Sequence, residues 1–146
     1  MADNVADIFG YALKLLAQRD YSIAKLRDKL DAKFGETPEA VIQQLIARRY
    51  LDDRRLAENY ISRHKDRGQN RLREDLTARG IPEQITQQVL FATDWPSLTD
   101  ALNAKMKVWH LHAPLHPREA ARLFRAMARL GYEEDAIREE IEQLTS

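Results

Sequence analysis

Leu72-Arg73-Glu74-Asp75-Leu76, then Gly80-Ile81-Pro82-Glu83, then Ile85 and Val89-Leu90: this stretch decides the fold. An apolar i,i+4 pair shares one helical face, a glycine and a proline mark a turn, and a second apolar helical stripe follows. The same arrangement stands on either side of it. Upstream, Leu26-Arg27-Asp28-Lys29-Leu30 leads through Thr37-Pro38-Glu39 to Val41 and Leu45-Ile46. Downstream, Leu123-Phe124-Arg125-Ala126-Met127 leads through Gly131-Tyr132-Glu133 to Ile137 and Ile141. Leu76 follows Leu30 by 46 residues, and Met127 follows Leu76 by 51. Periods of this size belong to stacked helical units, none of which buries its apolar face alone; such arrays bind extended partners along a surface.

The remaining stripes predict nine helices in three groups. Val5, Ile8, Phe9, Ala12, Leu13 and Leu16 form the first, and Ser22 caps a second that carries Ile23, Leu26 and Leu30. Thr37 caps a third, with Pro38 at its first position and Val41, Ile42, Leu45 and Ile46 on its face. Asp52 or Asp53 caps a fourth carrying Leu56, Tyr60 and Ile61; a fifth, starting near Asn70, ends at Gly80, and Pro82 opens a sixth. Ala101, Leu102, Met106 and Trp109 mark the seventh, Ala120, Leu123, Phe124 and Met127 the eighth, and Ala136, Ile137, Ile141 and Leu144 the ninth. No strand or hairpin pattern competes with them. The expected fold is all-α, with tandem three-helix units at residues 1–51, 52–94 and 95–146 in an elongated or curved array.

With 44% hydrophobic and 32% charged residues, the chain has enough apolar content for a core. The absence of cysteine excludes disulfides, thiolate metal sites and cysteine catalysis. No apolar run approaches the ~18 residues of a membrane span, and residues 1–4 do not resemble a signal peptide, so a cytoplasmic location is expected. Net charge is zero but unevenly spread. Residues 48–79 hold ten Lys and Arg against six Asp and Glu, whereas residues 80–146 hold seven against ten. The middle of the chain can face a polyanion that the C-terminal part would repel.

Arg63, Lys65, Arg67, Arg71 and Arg73 form the densest basic run. Arg63 and Arg67 share a face if the fourth helix reaches that far. A planar guanidinium donates two parallel hydrogen bonds to a carboxylate or a phosphate, so the run reads as a contact strip. The competing reading is a solvated face with intrahelical pairs such as Arg71 with Glu74 or Asp75. Asp52-Asp53-Arg54-Arg55 reads as structural: the acids satisfy a helix start, and Arg54 or Arg55 ties one triplet to the next.

His110-x-His112-x3-His116 has metal-like spacing but lacks the ligand count of a zinc site, and Pro114 and Pro117 favour a plain loop with His116 ahead of a helix. Tyr21, Tyr50, Tyr60 and Tyr132 sit at helix junctions, where aromatics fill core corners with the hydroxyl reaching water. Trp95 and Trp109 read as packing anchors. There is no P-loop, no dinucleotide fingerprint and no nucleophile–base pair, so neither an enzyme nor a cofactor or metal site is expected.

Three stretches carry a resemblance. Ala12-Leu13-Lys14-Leu15-Leu16-Ala17-Gln18-Arg19-Asp20-Tyr21-Ser22, Tyr50-Leu51-Asp52-Asp53-Arg54-Arg55-Leu56-Ala57, and Arg67-Gly68 with Arg71-Leu72-Arg73-Glu74-Asp75-Leu76 through Gly80-Ile81 resemble the RecX family. The similarity covers roughly residues 8–144, and the segment from Leu51 to Arg55 with the spaced arginines after it is its most specific part. Leu56 departs from the family's usual Phe, Leu130 stands where the last repeat often carries a basic residue, and residues 98–109 match little. The resemblance implies a non-enzymatic regulator that binds the RecA recombinase filament and modulates, chiefly by inhibition, its recombination and ATPase activities in DNA repair and the SOS response. It strengthens the reading of the basic run as a contact strip, with Arg54, Arg55, Arg63, Lys65, Arg67, Arg71 and Arg73 as the candidate partner contacts, on a protein expected to be a monomer. The alternative is a nucleic-acid-binding helical domain that uses residues 48–79 to touch single- or double-stranded DNA weakly.

Overall fold

Apolar stripes of period 3.6 produce helices wherever the sequence carries them. The computed structural model describes residues 5–145; the four residues read above as unlike a signal peptide lie outside the described residues. Among the described residues there are nine α-helices and no strand: α1 (Val5–Gln18), α2 (Ile23–Phe34), α3 (Glu39–Ala47), α4 (Asp53–Arg63), α5 (Gln69–Ala78), α6 (Glu83–Ala92), α7 (Leu98–Val108), α8 (Pro117–Arg129) and α9 (Glu134–Thr145). A short 3-10 turn, Lys65–Arg67, lies between α4 and α5. No helix among the described residues is long and apolar enough to cross a membrane.

Contacts group the chain into two compact units. One runs through Arg63 and resumes over Arg73–Ala92; the other combines His64–Leu72 with the chain from Thr93 onward. In the first unit α1 packs on α2 and α3, and α4 packs on α6. Ile8, Ala12, Leu26, Leu30, Val41, Ile42, Leu45 and Leu51 form its best-defined core. Ala57, Ile61, Leu76, Ile81, Val89 and Leu90 are also buried in it. In the second unit α7, α8 and α9 pack on one another around Leu102, Leu115, Leu123, Met127, Ile137 and Ile141.

Several helix ends are set by the residues that the sequence marks. The Ser22 hydroxyl accepts the Lys25 N–H at 3.1 Å, and Gly80 ends α5 at φ +85°. His116 caps α8: its Nδ1 accepts the Arg118 N–H at 3.2 Å while Glu119 accepts the His116 N–H at 2.8 Å. Thr37 does not cap α3. Its hydroxyl and its N–H both donate to Asp31 at the end of α2, and Pro38, at φ −60°, takes the cap position. Those two bonds hold the Asp31 carboxyl below the ordinary carboxylate range.

The join between the first helices and the following ones is made by Asp53, not by Arg54 or Arg55. Asp52 caps α4 by accepting the Arg55 N–H at 3.1 Å, which leaves Asp53 to reach 30 residues back and accept the Ile23 N–H at 2.9 Å. Asp53 is only 7% exposed, and Gly80 lies against the same helix start: a Cβ on Gly80 would come within 2.9 Å of the Ser22 hydroxyl. Burial pushes the Asp53 carboxyl above its ordinary value, against the pull of the Ile23 bond and with help from Asp52. A raised folded pKa means that this group's stabilisation is complete below about pH 4, the ordinary aspartate value, and is lost as pH rises through the folded value. Asp53→Asn, which keeps an acceptor for Ile23, is therefore expected to match the parent in acid and to exceed it in stability at neutral pH. Asp53→Ala leaves the N–H unpaired and should cost roughly 1–3 kcal/mol. Denaturant titrations of both variants at pH 4 and pH 7 check this. An Asn variant that matches the parent at pH 4 but falls below it at pH 7 would mean that the charge at the α2 N-terminus outweighs its burial.

Candidate partner-binding surface

The seven candidate cations divide between the two units. Arg54, Arg55, Arg63 and Arg73 belong to the first; Lys65, Arg67 and Arg71 belong to the second. Since α4 ends at Arg63 and Arg67 sits in the 3-10 turn, Arg63 and Arg67 do not continue one helical face. Instead Arg55, Asn59 and Arg63 fall at i, i+4 and i+8 on α4, and all three are exposed. This row is a regular presentation of two guanidinium groups.

The other cations of the first unit have partners. Arg54 donates to the Gln88 side chain on α6 at 3.3 Å. Arg73 is half-buried, and its Nε lies 3.1 Å from Glu83 Oε1, close enough for an ion pair but off the line of a hydrogen bond. In the second unit Lys65 donates to the Asp94 carbonyl at 2.9 Å. Arg71 is exposed and Arg67 half-buried. Between them, Gly68 (φ +87°) is pressed against the Arg129 carbonyl at the end of α8, and Gln69 lies beside Gly131. This backbone contact holds the His64–Leu72 segment on the second unit.

The aromatic residues are largely engaged. The Tyr60 hydroxyl donates to Asp75 at 2.8 Å under the Arg79 guanidinium, and the Tyr132 hydroxyl donates to the Pro96 carbonyl, so both hydroxyls bond within the protein. Burial, with Asp100 nearby, raises the Tyr132 pKa. Trp109 is stacked by Arg122 at 3.8 Å, as a packing anchor. Tyr50 is half exposed beside Arg49, which adopts φ +62°, in a polar groove with Asp20, Asp52 and Arg55. Arg49 was not singled out by its sequence; a left-handed arginine leaves no local signature. Among the described residues no three His, Asp or Glu side chains converge to hold a metal ion.

Known proteins place this geometry. The profile of the second three-helix domain of RecX matches residues 52–90, the stretch that carries all seven cations. The Regulatory protein RecX of Trichlorobacter lovleyi is 33% identical over 153 residues, covering 97% of this chain and 98% of that protein. The chain belongs to the RecX family. The Regulatory protein RecX of Serratia proteamaculans is 31% identical over 157 residues, 90% of this chain and 94% of that protein. That of Thermus thermophilus reaches 45% identity over 87 residues, 58% of this chain, and the match spans only 61% of that relative's length. The crystal structure of RecX from Lactobacillus salivarius superposes with a TM-score of 0.74 at 18% identity, over 95% of this chain and 97% of that one. The all-helical RecX fold is thus shared where few residues are.

Proposed function

We propose that this chain is a non-enzymatic regulator that binds the RecA recombinase filament and inhibits its recombination and ATPase activities. The observation that carries the reading is near-full-length similarity to proteins named Regulatory protein RecX. In the proposed arrangement three-helix repeats occupy residues 1–51, 52–94 and 95–146, and the contacts to RecA come from Arg54, Arg55, Arg63, Lys65, Arg67, Arg71 and Arg73. Binding that favours one filament conformation shifts the filament toward it by no more than the difference in affinity between the two states. The exposed Arg55–Arg63 row on α4 supports a contact with carboxylates on the filament surface, because a guanidinium that is desolvated in an interface contributes far more than one at a rim.

Two double variants test it: Arg55→Glu with Arg63→Glu in the first unit, and Arg67→Glu with Arg71→Glu in the second. Each is expected to weaken filament binding by about ten-fold or more while melting like the parent. DNA-dependent ATP hydrolysis by preformed filaments, followed as each protein is added, gives the readout. Unchanged inhibition by both variants would remove this surface from the interface. A direct contact with DNA would instead show as affinity for bare oligonucleotide that falls steeply with salt.

A further inference from the structure

The second unit contains an open cleft of about 280 Å³, with all its lining residues in that unit. Ala101, Ala104, Lys105 and Val108 lie at i, i+3, i+4 and i+7 on α7 and form one wall; Trp95 and Leu130 contribute to the rest. Leu102 and Met106, on another side of α7, belong to the core with α8 and α9. Ala101 also packs against that core, so the part of the helix that this unit leaves open is Ala104 and Val108. Val108 is 69% exposed. Such an opening lies just below the roughly 300–1,000 Å³ of small-molecule sites, and suits a bulky side chain or two better than a cofactor.

The charges at the cleft fix the chemistry of the occupant. Lys65 donates to the neutral Asp94 carbonyl, and the Lys105 ammonium lies 5.3 Å above the Trp109 ring. Neither contact offsets a positive charge with a negative one. Among the lining residues Lys65 and Lys105 stand against one carboxylate, Asp66. Apolar walls give a phosphate backbone nothing to bond. We infer that this cleft is a docking site for a protein segment that inserts a bulky apolar side chain flanked by carboxylates. The inference deepens the reading above, resting on it only in taking the partner to be a protein, and adds an apolar anchor point to the arginine contacts.

The test uses the full chain and three blocked hexapeptides: a Phe-Leu pair flanked by glutamates, the same pair flanked by lysines, and an Ala-Ala pair flanked by glutamates. Tryptophan emission reports binding, with Trp95→Phe as the control that assigns the signal to the cleft. The acidic Phe-Leu peptide is expected to bind about ten-fold or more tightly than the other two. Val108→Glu and the milder Val108→Ser should each weaken it with unchanged melting. Equal binding of the lysine-flanked peptide, indifference to both Val108 variants, no binding at millimolar peptide, or a single-stranded oligonucleotide shifting Trp95 in the peptides' place would each overturn the proposal. If the acidic peptide binds as expected but the chain has no affinity for recombinase filaments, the cleft stands and the RecA reading fails. If filaments are inhibited equally by parent and Val108→Glu while no peptide binds, the reverse holds.

Discussion

Gly68→Ala is expected to destabilise the protein by roughly 3–5 kcal/mol, combining backbone strain with steric overlap. Gly68 adopts φ +87° and ψ 153°, a region closed to residues with a Cβ, including the asparagine that tolerates the left-handed helical region. Strain alone accounts for about 1–3 kcal/mol of the loss. The remainder comes from the Arg129 carbonyl, which lies where a Cβ would go, with Leu130 Cα 3.2 Å from the same point. Both neighbours are backbone atoms, so no side-chain rotation relieves the overlap. Gly35 supplies the control: it has a similar φ of +88°, yet nothing lies within 4 Å of its added Cβ. Gly35→Ala should therefore show the strain without the overlap, a loss of about 1–3 kcal/mol. Denaturant titration of the two variants separates the terms, and equal losses would show that Arg129 moves aside freely. Because Gly68 separates Arg67 from Arg71, the larger loss would also displace two of the proposed contact residues.

Local chemistry was legible in the sequence, and partners distant in sequence were not. The helices, the Ser22 cap, the Gly80 stop and the His116–Pro117 start all follow from interactions within four residues, which periodicity and capping preferences describe. Gly68 falls just ahead of the fifth helix expected from near Asn70, but the reason for a glycine there is a carbonyl 61 residues further on. Asp53 looked like the start of its own helix; Asp52 already fills that role, and the Ile23 N–H claims the second carboxylate. Thr37 looked like a cap, but its N–H and hydroxyl both turn back to donate to Asp31, and Pro38 is left at the cap position with no side-chain acceptor for the helix. At the candidate site the arginines were visible as composition. Their sorting was not: Arg54 meets Gln88 through packing of α4 against α6, and Arg73 meets Glu83 across the Gly80 turn, which no spacing rule encodes. The open side of α7 was hidden for a related reason, since Ala101 reads with Leu102 and Met106 as one core stripe, and Ala104 and Val108 do not make a second.

Leu30→Ala, Leu76→Ala and Met127→Ala should each cost about 2–5 kcal/mol, because all three are core positions on the middle helix of a proposed three-helix repeat. Each side chain is fully buried. Truncation forfeits the transfer free energy of the lost methyl and methylene groups and leaves a void that a closely packed interior closes only in part. Leu30 sits in a core with Leu26 and Val41, residues whose branched side chains have few alternative rotamers, so its cavity should persist and its loss should fall high in the range. Leu76 is buried in the same unit as Ile81, directly after the Gly80 turn that abuts Ser22, and a shift there would also disturb the start of α2. Met127 should fall lowest. Its unbranched thioether chain gives up less shape-specific packing, and Phe124, only partly buried with Arg138 over its ring, is free to swing inward. Urea titration gives the magnitudes, and amide hydrogen exchange locates them. Leu30→Ala should loosen α1 to α3, whereas Met127→Ala should loosen α7 to α9, because each core is built from its own set of helices. A neutral result at any one position would mean that its neighbours collapse onto the site, and would break the equivalence of the three copies on which the repeat reading depends.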